Sequence, residues 1–389
     1  MLLPPSEEQR RIVEKIEELF TQLDAGVEAL KRAQTRLKRY RASLLQAACE
    51  GRLVPTEAEL ARRENRAYEP AAALLARVLT ERRRRWEEQE WHKLVEKAQQ
   101  KAALACRKAR GLPARAADLS EAEWRAVPEA EYAPYLPKND QWKRKYAEPA
   151  APDTAELPDL PEGWVWANID QLAETVGGVT KGKNLTGKKT IFLPYLRVAN
   201  VQRGYLDLDV IKEIEVLESD LEKYRLENGD LLLTEGGDAD KLGRSSIWNS
   251  QISNCIHQNH IFRARPYLSD LDSKWLMYYT NSEAGKKYFL DSSKQTTNLA
   301  SINLTQLRSC PIPLPPASEI SRIITDIDMR NSVLEEMEES INIGLLRAER
   351  LRQAILKRAF EGKLVPQDPT DEPAGALLAR IKAKNPMNI

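Results

Sequence analysis

Four short polar clusters in the middle of this chain hold side chains suited to a polyanion and its bases. Thr180 to Thr190 contains Lys181, Lys183, Lys188 and Lys189 with two glycines and no acid. A loop of that kind follows a phosphate backbone closely. Gly236 to Arg244 mixes glycine with both charge signs, so Asp240 could accept from cytosine N4 while Lys241 and Arg244 donate to guanine. Gln258, Asn259 and His260 form the third cluster, and Lys294, Gln295, Thr296, Thr297 and Asn298 the fourth. Both supply amide side chains of the type that pairs bidentately with adenine. A single polar loop is unremarkable on any surface, but four in one stretch point to nucleic acid.

Catalytic chemistry is less well served. Gly182-Lys183-Asn184-Leu185-Thr186-Gly187-Lys188 approaches a phosphate-binding loop, yet Lys189 stands where Ser or Thr should bind magnesium. Cys255, His257 and His260 offer three metal ligands without a fourth, which reads better as a core cysteine beside loop histidines. Only three histidines occur, none with a nucleophile beside it. Asp272-Ser273-Lys274 has nuclease-like spacing but no matching acid before it. The expectation is a chain with no catalytic residue and no metal.

Lys and Arg number 59 against 58 Asp and Glu, a net charge of +1, so a polyanion must be met by local patches. Charged residues reach 30% and mean hydropathy is −0.54, which fits exposed helices. Cys49, Cys106, Cys255 and Cys310 are scattered, with no CxxC pair and no secretory signal. That implies reduced thiols in a cytoplasm. No apolar run approaches the length of a membrane span.

The elements that must position the clusters are repeated. Leu3-Pro4-Pro5 returns as Leu314-Pro315-Pro316, and Glu50-Gly51-Arg52-Leu53-Val54-Pro55 returns as Glu361-Gly362-Lys363-Leu364-Val365-Pro366. The offset is 311 positions both times. In the first copy Ile16, Leu23, Leu30, Leu37 and Leu44 recur every seventh residue, with Ile12, Leu19, Gly26, Ala33 and Tyr40 as the second row. In the second copy Ile327, Leu334, Ile341, Ala348 and Ile355 form one row. Ile323, Arg330, Met337, Gly344 and Leu351 form the other, which Arg330 weakens. Ser6, three residues before Gln9, reads as an N-cap, and Gly51 and Gly362 as stops. Each helix should span roughly 65 Å. A lone helix would leave its stripe in water, so the two copies are expected to pair antiparallel and act as a spacer.

An extension carrying Arg82 to Arg85, Trp86, Trp91 and Lys93 reads as a charged helix with a solvated face. Its start, Glu69-Pro70-Ala71, is echoed by Glu372-Pro373-Ala374. Prolines from Pro149 to Pro161 mark a linker. From there to Pro316 short β-rich runs alternate with Gly, Asn and Asp and with helices near 270–291 and 301–307. The predicted class is α+β, a mixed globule flanked by two long helices. The expected segments are 1–56 first spacer helix, 57–156 charged extension and linker, 157–316 recognition domain, 317–366 second spacer helix, and 367–389 tail.

Pro4-Pro5-Ser6-Glu7-Glu8-Gln9-Arg10-Arg11-Ile12-Val13 resembles the start of a spacer helix in the DNA-specificity subunits of type I restriction-modification enzymes. Tyr40-Arg41-Ala42-Ser43-Leu44-Leu45 and Glu50-Gly51-Arg52-Leu53 resemble its end. Leu160-Pro161-Glu162-Gly163-Trp164 is similar to the opening of a target-recognition domain in that family. Asn228 to Asp238 with Gln258-Asn259-His260 is similar to its interior, and Pro311 to Pro316 to its exit. The resemblance covers nearly the whole chain. It implies a non-catalytic subunit that binds double-stranded DNA and reads half of a split target. Its antiparallel coiled coil would dock methyltransferase subunits. S-adenosylmethionine would sit on those partners, ATP and magnesium on a motor-nuclease subunit that joins them, and no cofactor here. The family pattern places a recognition domain before each spacer helix, whereas Met1 begins almost at the first helix. A second half-subunit, a second copy of this chain, or a truncated remnant that sequesters methyltransferase are the expectations this leaves.

Overall fold

The computed structural model describes residues 3–182, 184–237, 241–295 and 300–384. Two rods of 44 residues, Ser6–Cys49 and Ala317–Phe360, flank an α+β globule. The chain divides into two compact units, one of Met1–Leu44 with Asp326–Ile389, the other of Leu45–Thr325.

In the first unit the rods run antiparallel. Arg352 lies over the Phe20 ring at 4.6 Å and pairs with Asp24, a Cβ on Gly344 would meet Leu30 at 3.0 Å, and Arg41 donates to Glu338 at 3.0 Å. Numbers fall along one helix as they rise along the other. The expected seam is filled unevenly. Ile12, Leu44, Ile323, Ile327, Leu334 and Ile341 are buried, and Ile16, Leu19, Leu23, Leu30, Leu37 and Ile355 are half-buried. Tyr40, Met337 and Leu351 are exposed, because two helices alone bury chiefly the Ile327–Ala348 row and leave the flanking row partly in water. Arg330, the misfit in that row, is accommodated. It donates to the Tyr40 hydroxyl at 3.1 Å and pairs with Asp326 one turn back. Ser6 already lies inside the helix rather than capping it, and the Gln9 side chain donates to the Pro4 carbonyl at 2.8 Å instead.

In the second unit β1 (Val165–Asn168) pairs with β12 (Pro311–Leu314), clasping the globule's two ends. The main sheet has the order β2-β9-β5-β7, all antiparallel, with β2 at Ala173–Gly177, β5 at Asp230–Thr234, β7 at Ser245–Trp248 and β9 at Ile261–Pro266. A second sheet joins β3 (Thr190–Leu196) to β4 (Lys212–Leu217) and, in parallel, to β8 (Ile256–His257). A third sets β6 (Gly236–Gly237), β11 (Ala300–Ser301) and β10 (Lys294–Gln295) side by side. Leu231, Leu232, Leu233, Trp248 and Ile261 fill the core.

The extension forms helices Glu57–Glu64 and Ala71–Ala109 and belongs to this second unit. Its arginine run divides. Arg83 and Arg84 pair with neighbouring glutamates in water. Arg82 instead donates to the Tyr146 hydroxyl at 2.7 Å and the Asp170 carbonyl at 3.1 Å, and Arg85 to the Tyr267 carbonyl at 2.6 Å. Half of the predicted solvated face is thus an anchor. Trp86, Trp91 and Trp142 cluster beside it.

Candidate nucleic-acid interface

Strand register carries the polar clusters to one end of the main sheet. Gly177 faces Phe262, Thr234 faces Ile261, and Leu233 faces Ser245, so three connections leave the sheet at the same end. They are the segment after β2 that begins the lysine loop, the Glu235–Arg244 loop, and the Gln258–His260 turn. Gly236 and Gly237 pair with Ser301 and Ala300, which in turn pair with Lys294 and Gln295, so the fourth cluster joins them. Clusters separated by up to a hundred residues become neighbours through antiparallel pairing alone.

Local chemistry holds each piece. The Asn259 N–H donates to the Val179 carbonyl at 2.9 Å, and the Gln258 N–H to the Leu196 carbonyl at 3.0 Å. The turn is therefore fixed by backbone bonds. The half-buried Gln258 side chain is left for other partners, while Asn259 Nδ2 lies 3.4 Å from His260 Nε2. Gly178 makes this possible, since a Cβ there would sit 2.1 Å from the His257 carbonyl. His260 Nδ1 lies 2.5 Å from Glu235 Oε2. The Thr234 hydroxyl donates to the Lys241 carbonyl at 2.7 Å and accepts from the Arg244 N–H at 3.0 Å, closing the neck of the loop.

His257 is oriented differently from the metal-ligand alternative. Its ring is buried, Nδ1 donates to the Ile261 carbonyl at 2.9 Å, and burial lowers its pKa to about 4. It is a neutral core histidine beneath the turn. Cys255 is a buried free thiol, and burial pushes its pKa up to about 12.

The lysine loop does not stay together. Lys181 remains at the convergence, its Nζ 5.2 Å from the centre of the Tyr195 ring. Lys188 and Lys189 precede β3 at the far end of that strand, roughly 20 Å of strand rise from Leu196. Lys189 pairs with Glu218 at 2.6 Å, which raises its pKa. A cavity of about 390 Å³ under the loop is rimmed by Glu213, Glu215 and Asp220, an unfavourable lining for phosphate. Lys183, Asp240, Thr296 and Asn298 lie outside the described residues, as does the side chain of Gln295.

Sequence reasoning missed the turn Gln202–Tyr205. Arg244 Nη1 donates to Gln202 Oε1 at 2.7 Å, and Arg203 donates to the Asn281 side chain at 3.3 Å and the Leu242 carbonyl at 3.2 Å. The Gly204 N–H donates to the Ser245 carbonyl at 2.9 Å, and Tyr205 stands 62% exposed at the tip. The available signal was a glycine, at φ +84°, between polar and aromatic residues.

Residues 161–342 match the family described as the type I restriction modification DNA specificity domain. The chain is 27% identical over 223 residues to the EcoKI specificity subunit of Escherichia coli K12, covering 55% of this chain and 47% of that protein. It is 28% identical over 232 residues to the StySPI specificity subunit of Salmonella potsdam, covering 57% and 50%. The HsdS subunit of Thermoanaerobacter tengcongensis aligns with TM-score 0.34 and 18% identity over 93% of this chain and 60% of that one. The chain spans about half the length of the curated relatives it matches. The matched stretch opens at Pro161, in the segment that leads into β1, and runs into the second rod.

Proposed function

We propose that this chain is a non-catalytic, cytoplasmic DNA sequence-specificity subunit of a type I restriction-modification complex. On this reading it reads one half-site of a split target, and the rods set the spacing and dock methyltransferase subunits. The observation that carries the reading is the meeting of Lys181, the Glu235–Arg244 loop, Gln258–His260 and Lys294 at one end of one sheet. Phosphate-holding lysines beside amide and guanidinium groups are what base reading in a groove requires. S-adenosylmethionine, ATP and magnesium belong to the partner subunits.

Selection of random duplexes by this chain with its methyltransferase subunits tests the proposal. Enrichment of a defined half-site is expected, and failure to enrich any sequence would refute it. Gln258→Ala or Arg244→Ala should relax preference at single base pairs by about 1–3 kcal/mol. Lys181→Gln and Lys294→Gln should weaken binding on all sequences and lower the salt slope. Uniform loss in both sets would contradict this division of labour.

A second reading draws on the rods. An open apolar groove of about 420 Å³, lined by Ala33, Leu37, Val333, Met337 and Ile341, favours a protein partner there. If the chain binds methyltransferase without reading a complete target, it sequesters it. Adding the chain to an intact system would then lower methylation in proportion to dose.

A further inference from the structure

The helix Ala71–Ala109 balances its charges along its first half and abandons that balance along its second. In the first half Arg83 pairs with Glu87, Arg84 with Glu81 and Glu88, and Arg85 with Glu81, each about one turn away. From Lys93 to Arg115 the chain holds seven Lys and Arg against one acid, Glu96, a local charge of 7 − 1 = +6. The whole chain carries only +1, so the remainder is acidic on balance and this stretch is a concentration of charge.

The cations are sorted by face. At 3.6 residues per turn, Lys93, Lys97, Lys101 and Lys108 fall on one side of the helix, away from buried Ala98 and Ala102. All four are exposed. Lys93 pairs with Glu90 at 3.6 Å, whereas Lys97, Lys101 and Lys108 have no ion partner among the described residues. Acids lie behind them, on the short helices Glu121–Arg125 and Glu129–Tyr132 that pack on the inner side. There Glu123 takes Arg107 at 2.6 Å, and Glu131 Oε2 lies 3.1 Å from the Cys106 sulfur. Lysines four apart on one helix face repel each other. The first half of the same helix avoids that cost by alternating signs, and the second half carries it, as a face does that meets a polyanion.

This half of the helix is an arm of the globule. Arg85 fixes its base to the Tyr267 carbonyl, and Gln89 donates to Glu174 at 3.2 Å. Beyond Gln89 it continues for 109 − 89 = 20 residues, about 30 Å. Near its tip it comes close to the start of β3, since the Lys189 pKa is raised by Glu218 and also by Glu121 of the arm. That end of β3 stands roughly 20 Å of strand rise from Leu196, whose carbonyl holds the Gln258 turn. The chemistry of the outer face selects its partner. Between Lys93 and Lys108 it exposes no apolar side chain larger than alanine. Protein interfaces are depleted in lysine and anchored by aromatic side chains. Lysine is a strongly hydrated point charge, suited to phosphate and indifferent to the base attached. Lys93 to Lys108 covers 15 positions (108 − 93), about 22 Å, the length of about six base steps of duplex. We propose that this outer face binds the phosphate backbone of duplex DNA outside the half-site, adding affinity that is independent of sequence. It rests on the DNA-binding reading above, and the test separates the two.

The full chain is titrated by anisotropy against a fluorescein-labelled random-sequence duplex of about 40 base pairs across a salt series. The combined variant Lys93→Gln, Lys97→Gln, Lys101→Gln and Lys108→Gln should bind about tenfold more weakly at low salt, and the slope of log affinity against log salt should fall by about 3–4. The matching variant with Arg at all four positions should keep the original slope, since only charge is at issue. All four positions face water, and circular dichroism should show full helicity in both variants. In selection from random duplexes with the methyltransferase subunits, the Gln variant should enrich the same half-site as the unsubstituted chain. Hydroxyl-radical protection should be lost only outside that half-site. An unchanged salt slope would overturn the proposal. So would a changed half-site, which would put the arm among the base-reading elements. Loss of methyltransferase binding with DNA binding intact would overturn the choice of partner. If neither chain enriches a half-site, the proposed function fails, and the slope on random duplex still decides whether the arm holds DNA.

Discussion

The rods and the globule use charge in opposite ways. Between the rods, Arg41–Glu338 and Arg352–Asp24 sit on the rim of an apolar seam, partly open to water, and Arg11 pairs with Asp371 in the segment after the second rod. In the globule, Asp230 is fully buried and takes two bonds from Arg265, at 2.7 and 2.9 Å, plus one from the Glu227 N–H at 2.7 Å. Arg263, also buried, pairs with Glu174 at 3.2 Å. These buried pairs lie at the end of the main sheet opposite the loops. The difference teaches where precision is needed. A pair of rods requires only length and register, which repetition and rim charges supply. A surface that must hold four loops in fixed relation is anchored by charges that cannot be broken cheaply.

The comparison breaks most directly at Asp230. Asp230→Ala removes a fully buried carboxylate and leaves half-buried Arg265 only its pair with Glu227 at 2.8 Å, a loss of about 3 kcal/mol. Near-ultraviolet dichroism, which reports the globule's tryptophans, should lose its cooperative transition first, while far-ultraviolet helicity persists. Simultaneous loss of both signals would mean that the two regions do not differ as described. Leu334→Ala removes a buried seam side chain and should cost about 2–3 kcal/mol. Its effect should fall on helicity and leave the tryptophan signal in place.

How much of this was legible in the sequence follows the same divide. The rods could be read because a seven-residue period is local information, and their antiparallel pairing followed from the need to bury one stripe each. The flanking row was overcounted: Tyr40, Met337 and Leu351 repeat correctly but face water, since periodicity does not say how many helices surround a seam. In the globule the four clusters could be seen but not their geometry. Their meeting depends on pairings such as Ser301 with Gly236, which are long-range and leave no periodic trace. Lys188 and Lys189 looked equivalent to Lys181 until β3 carried them away and Glu218 took Lys189. The Gln202–Tyr205 turn was missed because its meaning lies in its contact with Arg244, 42 positions later.

His257 sharpens the contrast through pH. Its folded pKa, about 4, lies below the ordinary 6.5, so the unfolded chain binds the proton more readily between those values. Stability is then full above pH 6.5 and is lost as pH falls toward 4. Between pH 7 and 5 this one group should cost the globule about 2 kcal/mol. Urea midpoints measured at both values should show a smaller drop for His257→Gln than for the unsubstituted chain. An identical drop would mean that the buried ring does not govern this window.

The smallest effect is expected at Arg41 and Glu338, and that smallness is itself informative. Arg41 Nη1 donates to both carboxylate oxygens at 3.0 Å, which is good geometry, yet both side chains remain about one-third accessible. Water and salt screen such a pair, and holding two long side chains costs entropy, so a coupling of about 0.5 kcal/mol is expected. A double-mutant cycle with Arg41→Ala and Glu338→Ala isolates it from the packing that each side chain also provides. Raising the salt should erase the coupling without shifting the Leu334→Ala result. A coupling above about 2 kcal/mol, the range of buried pairs, would place rods and globule in one electrostatic regime. The rim charges would then be fixing register in their own right, and the seam alone would no longer account for the pairing of the rods.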